Sequence, residues 1–393
     1  MLIGLVGKPN VGKSTFFKAS TLANVLIANY PFATIKANHG IAYVKIDCID
    51  KELGVQCNPR TGYCINHIRF VPVELMDVAG LVKGASEGRG LGNQFLDDLR
   101  QADCFIQVVD ISGETDAEGK VTTGYNPVQD IEMLENELDL WYSGILKKVW
   151  KTFARGLEVS KENFAVAIAK QFSGLKVSED DVKAVLLKSS YDTSRPSVWT
   201  DDQLMAFCHE LRHHTKPMII AANKCDKPAS EGNLDNLKSA YPELLIIPCS
   251  ADCELALREA SKAEMISYIP GEKEFKIIKD LNDKQKSALD TIKKNVLDKF
   301  GSTGVQDVLN KAVFDLLKYI AIFPAGSKLT DSKGNVLPDC FLMPPGTTAL
   351  DFAFKLHTDI GNNFVKALDI RTKMAVGKDH KLKHRDGLEI LTR

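Results

Sequence analysis

The chain has no run of about 18 apolar residues, so its sequence predicts no membrane-spanning helix. It also lacks a basic N-terminal stretch followed by a long apolar one, which argues against a secretory leader. Charge of one sign is scarce: 50 Lys and Arg face 51 Asp and Glu, for a formal net charge of −1. Bulk attraction to nucleic acid is thereby excluded, and any RNA contact must be local. There is no internal repeat and no low-complexity tract. The nine cysteines include no C-x-x-C pair. Their odd number, with several inside predicted core strands, points to free thiols and a cytoplasmic setting. Cys48, Cys57, Cys64 and His67 surround the turn Asn58–Gly62 and leave a zinc clip open, although the spacing is not that of the common zinc motifs. With 44% apolar residues over 393 positions, the composition suits two or three ordinary cores.

One segment stands out from this background. The apolar run Leu2–Val6 predicts a buried strand, and Gly7–Thr15 behind it has the form G-x-x-x-x-G-K-[ST]. Glycines in such a loop let backbone N–H groups turn inward onto phosphate oxygens, and the following helix adds its positive end. Lys8, Pro9, Asn10, Val11, Gly12, Lys13, Ser14 and Thr15 are therefore the expected phosphate cradle. Lys13 supplies a point charge for the β- and γ-phosphates, and the Ser14 hydroxyl is a candidate Mg²⁺ ligand. The pattern predicts binding of a nucleoside triphosphate.

Further segments follow in the order a guanine-nucleotide site needs. Thr34, between the first helix and the next strand, can offer its hydroxyl to Mg²⁺ and its N–H to the γ-phosphate. Asp77–Gly80 is D-x-x-G behind the strand Val73–Met76, with Asp77 expected on Mg²⁺ and Gly80 on the γ-phosphate. The glycine-rich stretch Gly84–Gly92 behind it can change shape cheaply when that phosphate leaves. Asn223-Lys224-Cys225-Asp226 is N-K-x-D behind the apolar run Met218–Ala222. A carboxylate at Asp226 accepts both N1–H and the exocyclic amine of guanine, whereas adenine presents a bare acceptor at N1. Lys224 is expected to lay its stem over the base. Ser250-Ala251, after Leu244–Pro248, would turn backbone N–H groups to the guanine carbonyl. Lys13, Thr34 and Gly80 are thus the expected catalytic groups around the γ-phosphate.

Together these residues resemble a translation-factor-class GTPase, and Asp77–Asn93 narrows the resemblance to the YchF-type branch of the Obg family. Ile322–Pro324, Met343–Thr348 and His357–Gly361 are similar to the TGS domain that ends such proteins. The resemblance implies an α/β fold: a P-loop G domain with a mostly parallel sheet and helices on both faces, an inserted helical arm and a C-terminal β-grasp module. It implies a ribosome or another RNA assembly as partner. Well-known members of the branch lose N-K-x-D and favour ATP. This sequence keeps Asn223, Lys224 and Asp226, and so reads as a GTPase of a side branch. Leu81 stands where Ras-like enzymes carry a water-orienting Gln, which predicts slow hydrolysis alone. Apolar-substituted relatives often use a monovalent cation, so Asn10 is a candidate K⁺ ligand; a turn-capping Asn is the equal alternative.

The expected organisation is a G domain over 1–115 and 216–319, a helical insert over 116–215 and a TGS-like domain over 320–393, in a monomer. Ile131, Leu134, Leu138, Trp141, Ile145, Val149 and Phe153 recur at helical spacing. Ser178 with Asp181, and Thr200 with Gln203, have capping-box form. The stripe with Trp141 and Trp150 reads as the arm's own core more readily than as a partner surface. Residues 253–319 read as helical. In the last domain a strand near Ile320–Phe323, a turn at Asp331–Asn335, a strand over Val336–Met343 and a helix over Thr348–His357 are expected. Lys373, Lys378, Lys381, Lys383 and Arg385, with His380 and His384 nearby, form a local basic cluster and the candidate RNA contact. Two other classes remain: a small-molecule kinase on the same P-loop, disfavoured by N-K-x-D, and a nucleotide-gated scaffold or ATP/GTP-binding stress regulator with negligible turnover, kept open by Leu81.

Overall fold

The computed structural model describes residues 1–22, 38–78, 100–188, 191–326 and 328–393. The expected contacts at Thr34, Gly80 and Leu81, and the Gly84–Gly92 loop, lie outside them. Strand β1 (Leu2–Val6) is buried along its whole length, as are β5 (Cys104–Asp110) and β6 (Met218–Asn223). Nearly continuous apolar runs of this kind suit strands covered on both faces. The sheet runs β2 (His39–Asp47), β4 (Ile68–Asp77), β1, β5, β6, β7 (Leu245–Pro248), with β3 (Tyr63–Ile65) also paired to β4. Neighbours from β4 to β7 are parallel; β2 and β3 are antiparallel to β4. Alternate side chains feed two cores. Val6, Phe105, Val109, Ile220 and Ala222 face one side, and Ile3, Leu5, Ile106, Val108 and Ala221 the other.

Helices of the insert cover the first side: α2 (Val128–Lys147), α3 (Trp150–Ser160), α4 (Phe164–Gln171), α5 (Glu179–Leu186) and α6 (Asp201–Thr215). Both predicted capping boxes form, each with reciprocal side-chain and backbone bonds. Trp141 and Trp150 are each 7% exposed and share one core with β1 and β5, so they offer no partner surface. Before α2, residues 113–125 make a turned segment rather than a helix, with Thr115 bridged to Val121. On the second side lie α1 (Lys13–Thr21) and the helix Val305–Asn310.

The predicted helical stretch after residue 253 is interrupted. A hairpin pairs Ile266–Tyr268 with Phe275–Ile277. Pro270 and Gly271, the latter at φ +77°, make the turn that the charged, amphipathic pattern obscured.

The C-terminal segment forms a second sheet. Its strands are Ile320–Pro324, Phe341–Met343, Phe364–Asp369, Ala375–Val376 and Gly387–Thr392. The first and last run parallel, and Phe352 from the helix Ala349–Leu356 fills the core beside Ile322 and Leu388. The strand expected over Val336–Met343 is shorter. Pro338 has no N–H to give a ladder and Leu337 sits at φ +42°, so residues 336–340 leave the sheet. Their carbonyls serve the other domain instead: Val336 O and Pro338 O accept from Asn58 N and Arg60 N, each at 3.0 Å.

Candidate nucleotide site

The site lies at the C-terminal ends of parallel strands, where ligands bind in open α/β sheets. Gly7 leaves β1 at φ +150°, and an added Cβ would meet Val108 O at 2.6 Å. Gly12 is at φ +93°, and an added Cβ would lie 2.3 Å from Asn223 Nδ2. The cradle is therefore closed to side chains at two points. Lys13 opens α1, a helix of nine residues with Gly12 as its N-cap. Lys13 Nζ lies 2.8 Å from Asp77 Oδ1, and Ser14 Oγ donates to Asp77 Oδ2 at 3.2 Å. A hydroxyl and a carboxylate from two elements thus converge beside the loop. That all-oxygen donor set fits a hard divalent cation such as Mg²⁺.

Two predicted cradle residues aim elsewhere. Lys8 is 1% exposed; its Nζ donates to Thr115 O at 2.9 Å, lies 3.0 Å from Asp130 Oδ2 and stands 3.9 Å above the Tyr125 ring. Burial pushes the Asp130 carboxyl up despite that cation. The Lys8 side chain therefore braces the loop from behind, which leaves only its backbone for phosphate. Asn10, at φ +64°, donates from Nδ2 to Gly119 O at 2.9 Å. It ties the phosphate loop to the turn before α2, and its Oδ1 has no hydrogen-bond partner among the described residues.

At the base end, Asn223 is 3% exposed and joins both halves of the site. Its Nδ2 donates to Val11 O at 2.8 Å, and its Oδ1 accepts from Ala251 N at 3.0 Å. Ser250 Oγ donates to Asp226 Oδ1 at 2.8 Å and accepts from Cys253 N, so it orients the carboxylate and caps the helix Ala251–Lys262 at once. Asp226 remains partly exposed, with an edge free to meet a base. Lys224, at φ +65°, bonds through Nζ to Asp110 Oδ2 at 2.7 Å.

Sequence reasoning missed three supports. Asp110 is fully buried and accepts from Ser112, Thr115 and Lys224. Burial alone would raise its pKa, but those bonds outweigh it and hold the carboxyl below its ordinary value. Its one sequence signal was a carboxylate at the end of a mostly apolar strand. Thr303 and Gly304 brace the base loop: Ser250 N donates to Thr303 O at 2.9 Å, and a Cβ on Gly304 would meet Pro248 O at 2.0 Å. Glu254, buried, collects Arg258, Tyr268 and Thr303 beneath that loop. These partners lie up to 49 residues apart, so no local pattern announces them.

The C-terminal basic cluster divides. Lys373, Lys378, Lys381 and Lys383 are exposed. Arg385 is not free: its Nε donates to Asp47 O at 2.9 Å and its guanidinium pairs with Glu52, which also holds Arg371. It fastens the last domain to the first and drops out of the candidate RNA surface. His384 also drops out as a charge source. Its Nδ1 accepts from Ala321 N, and partial desolvation of the ring, with the adjacent Arg385 cation, lowers its pKa.

Three family models match the chain. A "50S ribosome-binding GTPase" model covers residues 2–141, an "Obg-like GTPase YGR210-like, G4 motif-containing domain" model covers 221–326, and a TGS domain model covers 320–392. A GTP-binding protein of Methanocaldococcus jannaschii is 50% identical over 100% of this chain and 99% of its own. The ribosome-binding ATPase YchF of Bacillus subtilis is 31% identical, over 93% and 87%. A GTP-binding protein of Pyrococcus horikoshii superposes with a TM-score of 0.81 at 42% identity, covering all of both chains. With its P-loop, its base loops and its terminal β-grasp sheet in this arrangement, the chain belongs to the YchF-type branch of the Obg-family GTPases.

Proposed function

We propose that this GTPase is a Mg²⁺-dependent switch that selects guanine and acts on the ribosome or another RNA assembly. One observation carries the guanine reading: Asn223 bonds Val11 O and Ala251 N together, which sets the phosphate loop and the Ser250-held Asp226 at a fixed separation. GTP enters as substrate with its phosphates over Gly7–Thr15 and its base edge on Asp226. Lys13 gives up its bond to Asp77 for the phosphates, and Asp77 is then available with Ser14 for the metal. Mg²⁺ held there would shield the charge that develops on the transferred phosphoryl group. Thr34 and Gly80 are proposed to contact the γ-phosphate, and Leu81 leaves hydrolysis slow until a partner arrives.

The ribosome reading is supported by the B. subtilis relative, a ribosome-binding ATPase, by the likeness of residues 2–141 to the 50S ribosome-binding GTPase family, and by four exposed lysines on the last domain. Asn10 Oδ1 is a candidate ligand for an activating K⁺, which a comparison of turnover in KCl and NaCl tests. Calorimetry with GTP and ATP tests the central reading: GTP should bind at least tenfold tighter with Mg²⁺ present, and equal affinities would overturn it. Phosphate release with and without ribosomes then separates a switch from a scaffold of negligible turnover.

A further inference from the structure

Four side chains away from the nucleotide site converge where β2 ends. Cys48 follows β2, Asp50 and Cys57 lie in the loop behind it, and Cys64 sits on β3. Their ligand atoms, one each from Cys48, Asp50, Cys57 and Cys64, all lie within 4.8 Å of one another. Cys48 Sγ and Cys57 Sγ are 3.6 Å apart, and Cys64 Sγ is 3.8 Å from Asp50 Oδ2. A tetrahedral zinc with Zn–S bonds of about 2.3 Å separates its sulfurs by about 3.8 Å. The observed spacing is close to that edge and well beyond the roughly 2.05 Å of a disulfide. Asp50 is fully buried, Cys48 is 1% exposed and Cys57 5%.

The surroundings have the form of an outer shell. His67 Nδ1 lies 2.9 Å from Asp50 Oδ1, and Cys57 N donates at 3.0 Å to Oδ2, the oxygen beside Cys64 Sγ. Carboxylate ligands are commonly oriented by a histidine and by backbone N–H in this way. Arg69, fully buried, has no carboxylate partner among the described residues. It sets one nitrogen 3.7 Å from Cys57 Sγ and bonds Leu337 O and Pro338 O at 3.0 Å each. A buried unpaired cation beside the Cys57 sulfur makes sense if the clustered thiols are thiolates on a metal. Sulfur donors disfavour Mg²⁺ and Ca²⁺, and the enclosed four-ligand set leaves no open position for catalysis.

We infer that Cys48, Cys57, Cys64 and Asp50 form a structural zinc site that fixes the loop on which the C-terminal domain is seated. The same loop supplies Glu52 to Arg371 and Arg385, Asn58 to Val336 and Arg60 to Asp339. It contains no helix or strand of its own between Cys48 and Gly62. The site is independent of nucleotide.

The test uses the untagged full chain, purified without chelator from zinc-supplemented cells. Elemental analysis should give about one zinc per chain. Replacement by Co²⁺ should give a thiolate-to-cobalt charge-transfer band, which an all-oxygen Mg²⁺ site cannot produce. Cys64→Ser, the substitution at the least buried sulfur, should weaken metal binding at least tenfold and quicken proteolysis between Cys48 and Gly62. His67→Ala should weaken it about 10- to 100-fold while keeping the band, as loss of a group that orients a ligand does. If Cys64→Ser fails to fold, the wild-type zinc content, the cobalt band and His67→Ala still decide. A wild-type chain that carries no zinc and shows no cobalt band overturns the inference. So does one with a Cys48–Cys57 disulfide by mass spectrometry.

Discussion

Truncating Asn223 to alanine probes the joint on which the guanine site depends. The change removes two buried bonds to the backbone, to Val11 O at 2.8 Å and from Ala251 N at 3.0 Å, and a weak one from Cys249 Sγ at 3.7 Å. Each orphaned backbone group costs about 1–3 kcal/mol, so the gross loss is about 2–6 kcal/mol. A water entering the vacated volume recovers part of it, and about 3 kcal/mol is expected. That loss divides between folding and ligand binding. The urea midpoint should fall at unchanged slope, and GTP affinity should fall at least tenfold, since about 1.4 kcal/mol is a factor of ten. Asn223→Asp sharpens the test. It has the same shape and still accepts from Ala251 N, but it sets a carboxylate oxygen against Val11 O where an N–H stood. Repulsion at hydrogen-bond distance should make it no better than alanine. An Asn223→Asp protein with wild-type GTP affinity and an unchanged urea midpoint would refute the reasoning, because Asn223 would then be only a filler of space.

Other consequences are as direct. Gly12→Ala should abolish GTP binding measured by calorimetry, since its Cβ lands 2.3 Å from Asn223 Nδ2 at a φ of +93°. Lys224→Ala leaves Asp110 buried with only hydroxyl and backbone N–H partners; stability by urea unfolding should drop by about 3–5 kcal/mol, and Lys224→Ala with Asp110→Asn should recover much of it. His384 has a folded pKa below its ordinary 6.5, so the unfolded chain binds its proton first as pH falls. Wild-type stability should therefore decline as pH falls below 6.5, toward the lower folded value, and His384→Gln should decline less across that window. Replacing Lys373, Lys378, Lys381 and Lys383 by glutamine should weaken ribosome sedimentation and flatten its salt dependence, while Arg385→Gln should loosen the domain junction, read as faster proteolysis.

Much of this molecule was legible in local pattern. The buried strands at Leu2, Cys104 and Met218 declare themselves because strands covered on both faces need nearly continuous apolar runs. The phosphate loop is legible because a backbone that curls onto an anion needs glycine at set intervals. The capping boxes at Ser178 and Thr200 involve groups three residues apart. The hairpin at Ile266–Ile277 was not legible, since three-residue strands lie below the range in which periodicity speaks.

What the sequence by itself determined is the set of loops and the order in which strands present them. What tertiary structure alone decided is where the side chains of those loops point. Lys8 and Asn10 belong to the phosphate motif, yet packing turns them onto Asp130 and Gly119. Arg385 belongs to a basic cluster, yet Glu52, more than 300 residues away, claims it. The reason is physical. A backbone loop is shaped by its own φ and ψ preferences, which neighbouring residues set. A charged side chain is placed by whichever counter-charge folding brings beside it, and that partner can come from any point along the chain.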